Sequence, residues 1–271
     1  MLIPSNSTIE AESLYAFRKA KVPVEWKIQD TLLIPPTDSA ELFISQLTEE
    51  ELAQMPKINL NKNVTKFVNS FLVKENEALQ KAKTKSELYF KTIEDVFTKY
   101  GLPTELKYLA VVESYLKTNA VSRAGAKGMW QLMPTTAREL GLKVNGKYDE
   151  RTHFYKSTVA AAKYLKDLYR EFGDWVLVIA AYNGGPGTVY SAIKKSGSKI
   201  FWVLQNYLPT ESRAHVKRYI GTLYFFERKG GLTTMTKAET LTYKKAMDDF
   251  KMIVSAKERK DSLEVIANIM R

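Results

Sequence analysis

From about residue 61 the apolar positions recur at three- and four-residue intervals, the period of a helix with one buried face. Val64, Phe67, Val68 and Phe71 form one such stripe. The pattern predicts a further helix from Ser86 to Tyr100, closed by Gly101-Leu102-Pro103. Pro103 suits the first turn of the helix that follows, whose inner stripe is Leu102, Leu106, Leu109 and Ala110. Glu113 falls on that same stripe. A helix over about 150–172 would bury Thr158, Ala161, Ala162, Leu165, Leu168 and Phe172. Another is expected between Asp174 as N-cap and Asn183-Gly184-Gly185 as its stop. Pro186 opens a helix to about Lys195, and Thr210 is expected to cap a long one ending at Gly230-Gly231. No segment after residue 60 alternates with period two, so the expected class is all-α.

The two ends read differently. In residues 1–60 the short apolar pieces Val22–Trp26 and Thr31–Ile34 are interrupted by Pro23, Pro35 and Pro36, which favours extended chain. Asp38-Ser39-Ala40-Glu41 then resembles a helix start, with Leu42, Ile44, Leu47 and Leu52 on a short amphipathic stretch. This predicts an irregular N-terminal extension (1–60) packed on a main domain (61–231). The tail (232–271) allows two readings. Thr240, Thr242, Phe250, Met252, Ile253 and Val254, then Asp261–Ala267, have the strand-then-helix order of half a LysM carbohydrate-binding module. A final amphipathic helix docked on the domain is the favoured alternative.

Composition narrows the chemistry. Hydrophobic residues make up 45% of the 271, enough for a substantial core. No apolar run reaches the roughly 18–20 residues needed to span a bilayer. The first residues lack the pattern of a signal peptide, so either the protein is cytosolic or an export signal has been removed. Without cysteine there are no disulfides, thiolate nucleophiles or Cys-bound metals, and two separated histidines, His153 and His215, argue against a histidine-rich metal site. No metal or cofactor is expected. The net charge of +11 favours polyanionic partners, whether nucleic acid, anionic membrane or acidic cell-wall polymer. Lysines such as Lys81, Lys83 and Lys85 fit solvated helix faces equally well, and no nucleic-acid-binding motif is present.

Three clusters carry candidate chemistry. Glu113 ends the apolar run Tyr108–Val112, where desolvation would favour the protonated form that a general acid needs. Alone, it reads more simply as a buried structural glutamate with a basic partner. The stretch Ser122–Ala137 adds Gly125 and Gly128, which permit close backbone approach to a ligand. It also offers Gln131 as a hydrogen-bonding group for sugar and Met129 as a surface for a sugar face, with Trp130 and Leu132 expected in the core. The third cluster, Ala180–Gly187, holds Tyr182 and Asn183 before Gly184, by itself an ordinary helix end.

Taken in order, Glu113-Ser114, Gly128-Met129-Trp130-Gln131-Leu132-Met133-Pro134 and Ala181-Tyr182-Asn183-Gly184-Gly185 resemble the soluble lytic transglycosylase (SLT-type) family. The D group of membrane-bound lytic murein transglycosylases is the nearest in flavour, and the likeness extends over about residues 62–228. The resemblance implies a lysozyme-like all-α catalytic domain acting on peptidoglycan glycan strands, as a monomer in the periplasm or cell envelope. A lost signal or lipid anchor would account for membrane association. It further implies that Glu113 is the single acid/base, cleaving the β-1,4 bond between N-acetylmuramic acid and N-acetylglucosamine to leave 1,6-anhydro ends. Ser114, Met129, Gln131, Tyr182, Asn183 and Gly184 would line the groove.

One departure stands out. Where the family carries a tyrosine that touches the catalytic acid, Glu211-Ser212-Arg213-Ala214-His215-Val216 has His215. Either His215 takes that contact or Tyr219, one turn on, does; an exposed helix histidine is the plain alternative. Two other functions remain open. A lysozyme-type hydrolase would need a second carboxylate, with Glu139, Asp149 and Asp174 the nearby acids, although Asp149 and Asp174 look like caps. A non-catalytic glycan-binding protein would bind without turnover.

Overall fold

The computed structural model describes residues 43–269, and all regular structure among them is helical apart from three isolated β-bridges. The proposed extended pieces Val22–Trp26 and Thr31–Ile34, and the helix start at Asp38, lie outside the described residues. From the amphipathic stretch that follows, a helical turn at 43–45 and helix α1 (Glu49–Gln54) are formed. Thr48 and Glu51 cap α1 reciprocally.

Helix α2 runs unbroken from Lys62 to Lys99, so the two helices expected on either side of Lys81–Lys85 are one. The charged stretch hides a continuous stripe of smaller residues: Leu79, Ala82 and Ser86 are buried between Phe71 and Ile93. A 3-10 turn (Thr104–Lys107) leads into the short helix α3 (Tyr108–Ser114), followed by α4 (Pro134–Glu139). Helix α5 begins at Phe154, because a separate 3-10 turn occupies Glu150–Thr152, and it ends at Phe172 on Gly173.

Helix α6 (Trp175–Gly184) is buried from Trp175 through Tyr182 on every side, as expected of a central helix. Asp174 caps it, accepting from the amides of Val176 and Leu177 at 2.9 and 3.2 Å. Helices α7 (Pro186–Ser196) and α8 (Phe201–Leu204) follow. Helix α9 (Thr210–Glu227) packs against α2, α3 and α6. Thr210 is its first residue and makes no side-chain cap, and Arg228 ends it in a left-handed conformation before Gly230 is reached.

The tail is helix α10 (Lys237–Ile269), so the stretch carrying Thr240 to Val254 is helical and forms no strand. Its start is tied down firmly. The Lys237 amide donates to the other oxygen of Asp174 at 2.6 Å, and Glu239 closes a box with Thr236. Phe250 and Val254, four apart, are buried, whereas the positions from Ala256 to Glu264 are exposed. No helix among the described residues is long and apolar enough to cross a membrane.

Candidate active site

Glu113 is the last residue but one of α3, and the chain turns sharply just beyond it. Tyr115 and Leu116 both adopt left-handed backbone (φ 51° and 61°), a conformation that non-glycine residues hold only when their surroundings enforce it. The enforcement is visible. The Tyr115 amide donates to Val111 O at 2.8 Å, Leu116 is buried, and the Tyr115 hydroxyl donates to Glu75 Oε2 on α2 at 3.0 Å. This turn stops the helix with the Glu113 side chain 12% exposed, enclosed but reachable.

Across from it, α9 delivers His215. Its Nε2 lies 2.8 Å from Glu113 Oε1, and the ring is 2% exposed, so the solvent-facing alternative is excluded. Among the described residues His215 Nδ1 has no hydrogen-bond partner. The arrangement that strands no buried N–H is the neutral ring protonated at Nε2, which donates to Oε1. Tyr219 does not share this role. It is fully buried and its hydroxyl meets Glu105 O at 3.1 Å and Thr233 Oγ1 at 2.7 Å.

The segment 120–132 forms the next wall. Arg151, itself buried, donates through Nη1 to Gly125 O (2.7 Å) and Leu132 O (3.0 Å), while Asp149 accepts from its Nε and Nη2. Gly128 serves this clamp: a Cβ there would lie 1.9 Å from Arg151 O, so its close approach is to protein backbone and not to a ligand. Gln131, also left-handed (φ 47°), donates through Nε2 to Gly128 O and Ala120 O, which leaves Oε1 as its remaining acceptor. Two expected groove residues are placed differently. Met129 is 0% exposed and belongs to the core, and Ser114 is 5% exposed with its hydroxyl donating to Met129 O at 2.8 Å. Ser114 joins α3 to the wall instead of facing sugar. Trp130 and Leu132 are core as expected, with Trp130 Nε1 donating to Thr158.

Helix α6 supplies the third wall. The Tyr182 hydroxyl donates to Trp130 O at 2.8 Å. Burial raises that hydroxyl well above its ordinary value, and the negative charge of Glu113 adds to the effect. Asn183 Oδ1 accepts from Ser212 Oγ at 3.0 Å, which turns its amide nitrogen away from Ser212 as a free donor. A Cβ on Gly184 would meet Ser212 Oγ at 2.5 Å, so glycine there is what lets Ser212 reach Asn183. Ser212, Arg151 and Glu75 escaped the sequence reading. Only Asp149-x-Arg151 carried a local signal, an acid two residues before a guanidinium.

The acids named for a hydrolytic alternative are engaged elsewhere or exposed. Asp149 pairs with Arg151 and with Lys127 (3.1 Å), which hold its carboxyl far below the usual range. Asp174 caps α6 and the start of α10, and Glu139 sits exposed on α4.

With this geometry in place, the likenesses to known proteins fall where the site lies. Residues 93–205 match the transglycosylase SLT domain. The membrane-bound lytic murein transglycosylase D of Escherichia coli (strain K12) is 39% identical over 141 residues, covering 50% of this chain and 31% of that protein. The membrane-bound lytic murein transglycosylase F of Shewanella pealeana is 29% identical over 194 residues, 67% of this chain and 37% of its own length. Among solved structures, an inactive mutant of the lytic transglycosylase Slt from Pseudomonas aeruginosa is 25% identical, with a TM-score of 0.44 over 51% of this chain and 24% of that one. The chain thus spans about a third of the length of the curated relatives it matches. Glu113, the Gly128–Pro134 motif and Asn183 fall inside the matched segment, and His215 lies beyond it. Residues 93–205, which hold Glu113 and Asn183, are thus the part of this chain that is similar to a transglycosylase SLT domain.

Proposed function

We propose that the protein is a peptidoglycan lytic transglycosylase, with Glu113 acting alone as acid and then base. The observation that carries this reading is the Glu113 carboxyl group itself. One oxygen is fixed by His215 and the other has no hydrogen-bond partner among the described residues, and the side chain is 12% exposed to solvent. Such a group can pass a proton through its free oxygen while the held one fixes its orientation.

Glu113 donates its proton to the glycosidic oxygen between N-acetylmuramic acid and N-acetylglucosamine. The C1–O bond breaks and positive charge develops at the muramoyl C1. The carboxylate then takes the proton of the muramoyl C6 hydroxyl as that oxygen bonds to C1, closing a 1,6-anhydro ring. Glu113 is thereby reprotonated and no water is consumed. Glycosidases that use water need a second carboxylate in the cleft. Here Asp149 and Asp174 are engaged as described, and an intramolecular hydroxyl has a high effective concentration. Gln131 Oε1, the Asn183 amide nitrogen and the Gly184 backbone supply polar contacts for the sugar. Action on the cell wall would put the protein in the periplasm or cell envelope, working as a monomer on glycan strands.

Glu113→Gln keeps the shape and removes the proton. Release of muropeptides from purified sacculi should fall about a thousandfold with the melting temperature unchanged. Activity within tenfold of the parent would place the acid elsewhere.

A further inference from the structure

Arg218 lies on α9 one turn after His215, so both side chains leave the helix on the same side. Its electrostatic neighbour there is Tyr115, the second residue after Glu113, whose hydroxyl burial and Glu75 push up to about 12 while Arg218 pulls it back. Helix α9 packs on α3 with His215 opposite Glu113, and the charge of Arg218, one turn on, is felt at the Tyr115 hydroxyl. Arg218 is half-buried, yet among the described residues no carboxylate pairs with it and no acceptor receives its N–H groups. The contrast is Arg151, whose buried guanidinium is met by Asp149 and two carbonyls. A partly desolvated charge without a partner costs free energy, and a planar fork of N–H donors fits a carboxylate in two-pronged fashion.

We propose that Arg218 is a carboxylate subsite beside the cleavage point, taking a free carboxylate of the stem peptide on the muramoyl residue bound next to Glu113. The inference rests on the glycan-cleaving reading above. In peptide-bearing glycan the lactyl group is amidated, so the negative charges sit on the stem peptides and a cation near the sugar cleft selects for them. Arg218 sets specificity and takes no part in the proton transfers.

The test compares peptide-bearing glycan strands with the same strands after their peptide carboxylates have been converted to amides with carbodiimide and ammonia, using the intact protein, Arg218→Gln and Arg218→Lys. Arg218→Gln should raise KM about tenfold on peptide-bearing strands, leave kcat within twofold, and leave both constants unchanged on the amidated strands. Arg218→Lys should recover part of the loss. With no protein partner to lose, Arg218→Gln should melt at or above the parent temperature. Equal losses on both substrates, no loss on either, or a lowered melting temperature would each overturn the subsite. Absence of product from both substrates with the parent protein would instead overturn the glycan-cleaving reading on which it rests.

Discussion

Glu105 and Glu113 stand near the two ends of one helical segment, and each faces a residue of α9, yet their surroundings differ completely. The Glu105 carboxylate accepts from the amides of Leu232 and Thr233 at 3.2 and 2.9 Å and from the Thr233 hydroxyl at 2.7 Å. Tyr219 reaches the same cluster through the Glu105 carbonyl and Thr233. Glu113 has His215 on one oxygen and, among the described residues, no hydrogen-bond partner on the other. A saturated carboxylate fixes the chain, whereas a carboxylate with one free oxygen in an accessible cleft can exchange a proton. The comparison also shows why Tyr219, attractive by spacing, belongs with the saturated Glu105 and His215 with Glu113, the proposed acid.

Breaking the structural side should give the largest change in stability. Glu105→Ala strands the Leu232 and Thr233 amides, and calorimetry should show a loss of about 3 kcal/mol. The folded fraction should retain kcat within twofold; a loss of turnover without a loss of stability would reverse the assignment of the two acids.

Asp174 extends the comparison to pH. Burial pushes its carboxyl up to about 6 from the ordinary 3.8. Between those values the folded chain holds a proton that the unfolded chain has released, so stability is greatest below the window and falls as pH rises through it. The slope from this one group is at most about 1.4 kcal/mol per pH unit. Asp174→Asn should remove that fall in melting temperature between pH 4 and 6, and an unaltered slope would contradict it.

On the catalytic side, His215→Phe keeps bulk but cannot donate to Glu113. Turnover should drop roughly ten- to thirtyfold with KM nearly constant, the signature of a positioning contact. A rise in KM alone would make His215 a substrate contact instead. The smallest effect is expected of Tyr219→Phe, about 1 kcal/mol of stability with no change in kcat. Impaired turnover in that variant at an unchanged melting temperature would return Tyr219 to the site.

Much of this was legible in the chain because local chemistry sets it. Asp174 before an apolar run marked a cap, Asn183-Gly184-Gly185 marked a helix end, and the 3.6-residue period gave the all-α class. What stayed hidden depended on tertiary contact. A motif names residues without saying which way they face, so Met129 and Ser114 looked like groove residues although one fills the core and the other joins two elements. Ser212, Arg151 and Glu75 act through partners distant in sequence, and His215 was narrowed to two possibilities that only the geometry of α9 separated. The tail left two readings open for a local reason, and the helix favoured for it is the one formed. Its β-branched residues suggest a strand, but Phe250 and Val254 are four apart and bury one face of a helix.

The most direct test of the whole account is the chemistry of the product. Digestion of purified sacculi in water enriched in oxygen-18, read by mass spectrometry, should give 1,6-anhydro-muramoyl ends with no heavy oxygen at C1, because the substrate's own C6 hydroxyl closes the ring. Reducing muramic acid ends carrying the label would contradict it. They would show that water is the nucleophile, and Glu75 beside Tyr115 would then be the first carboxylate to replace in search of a partner for Glu113.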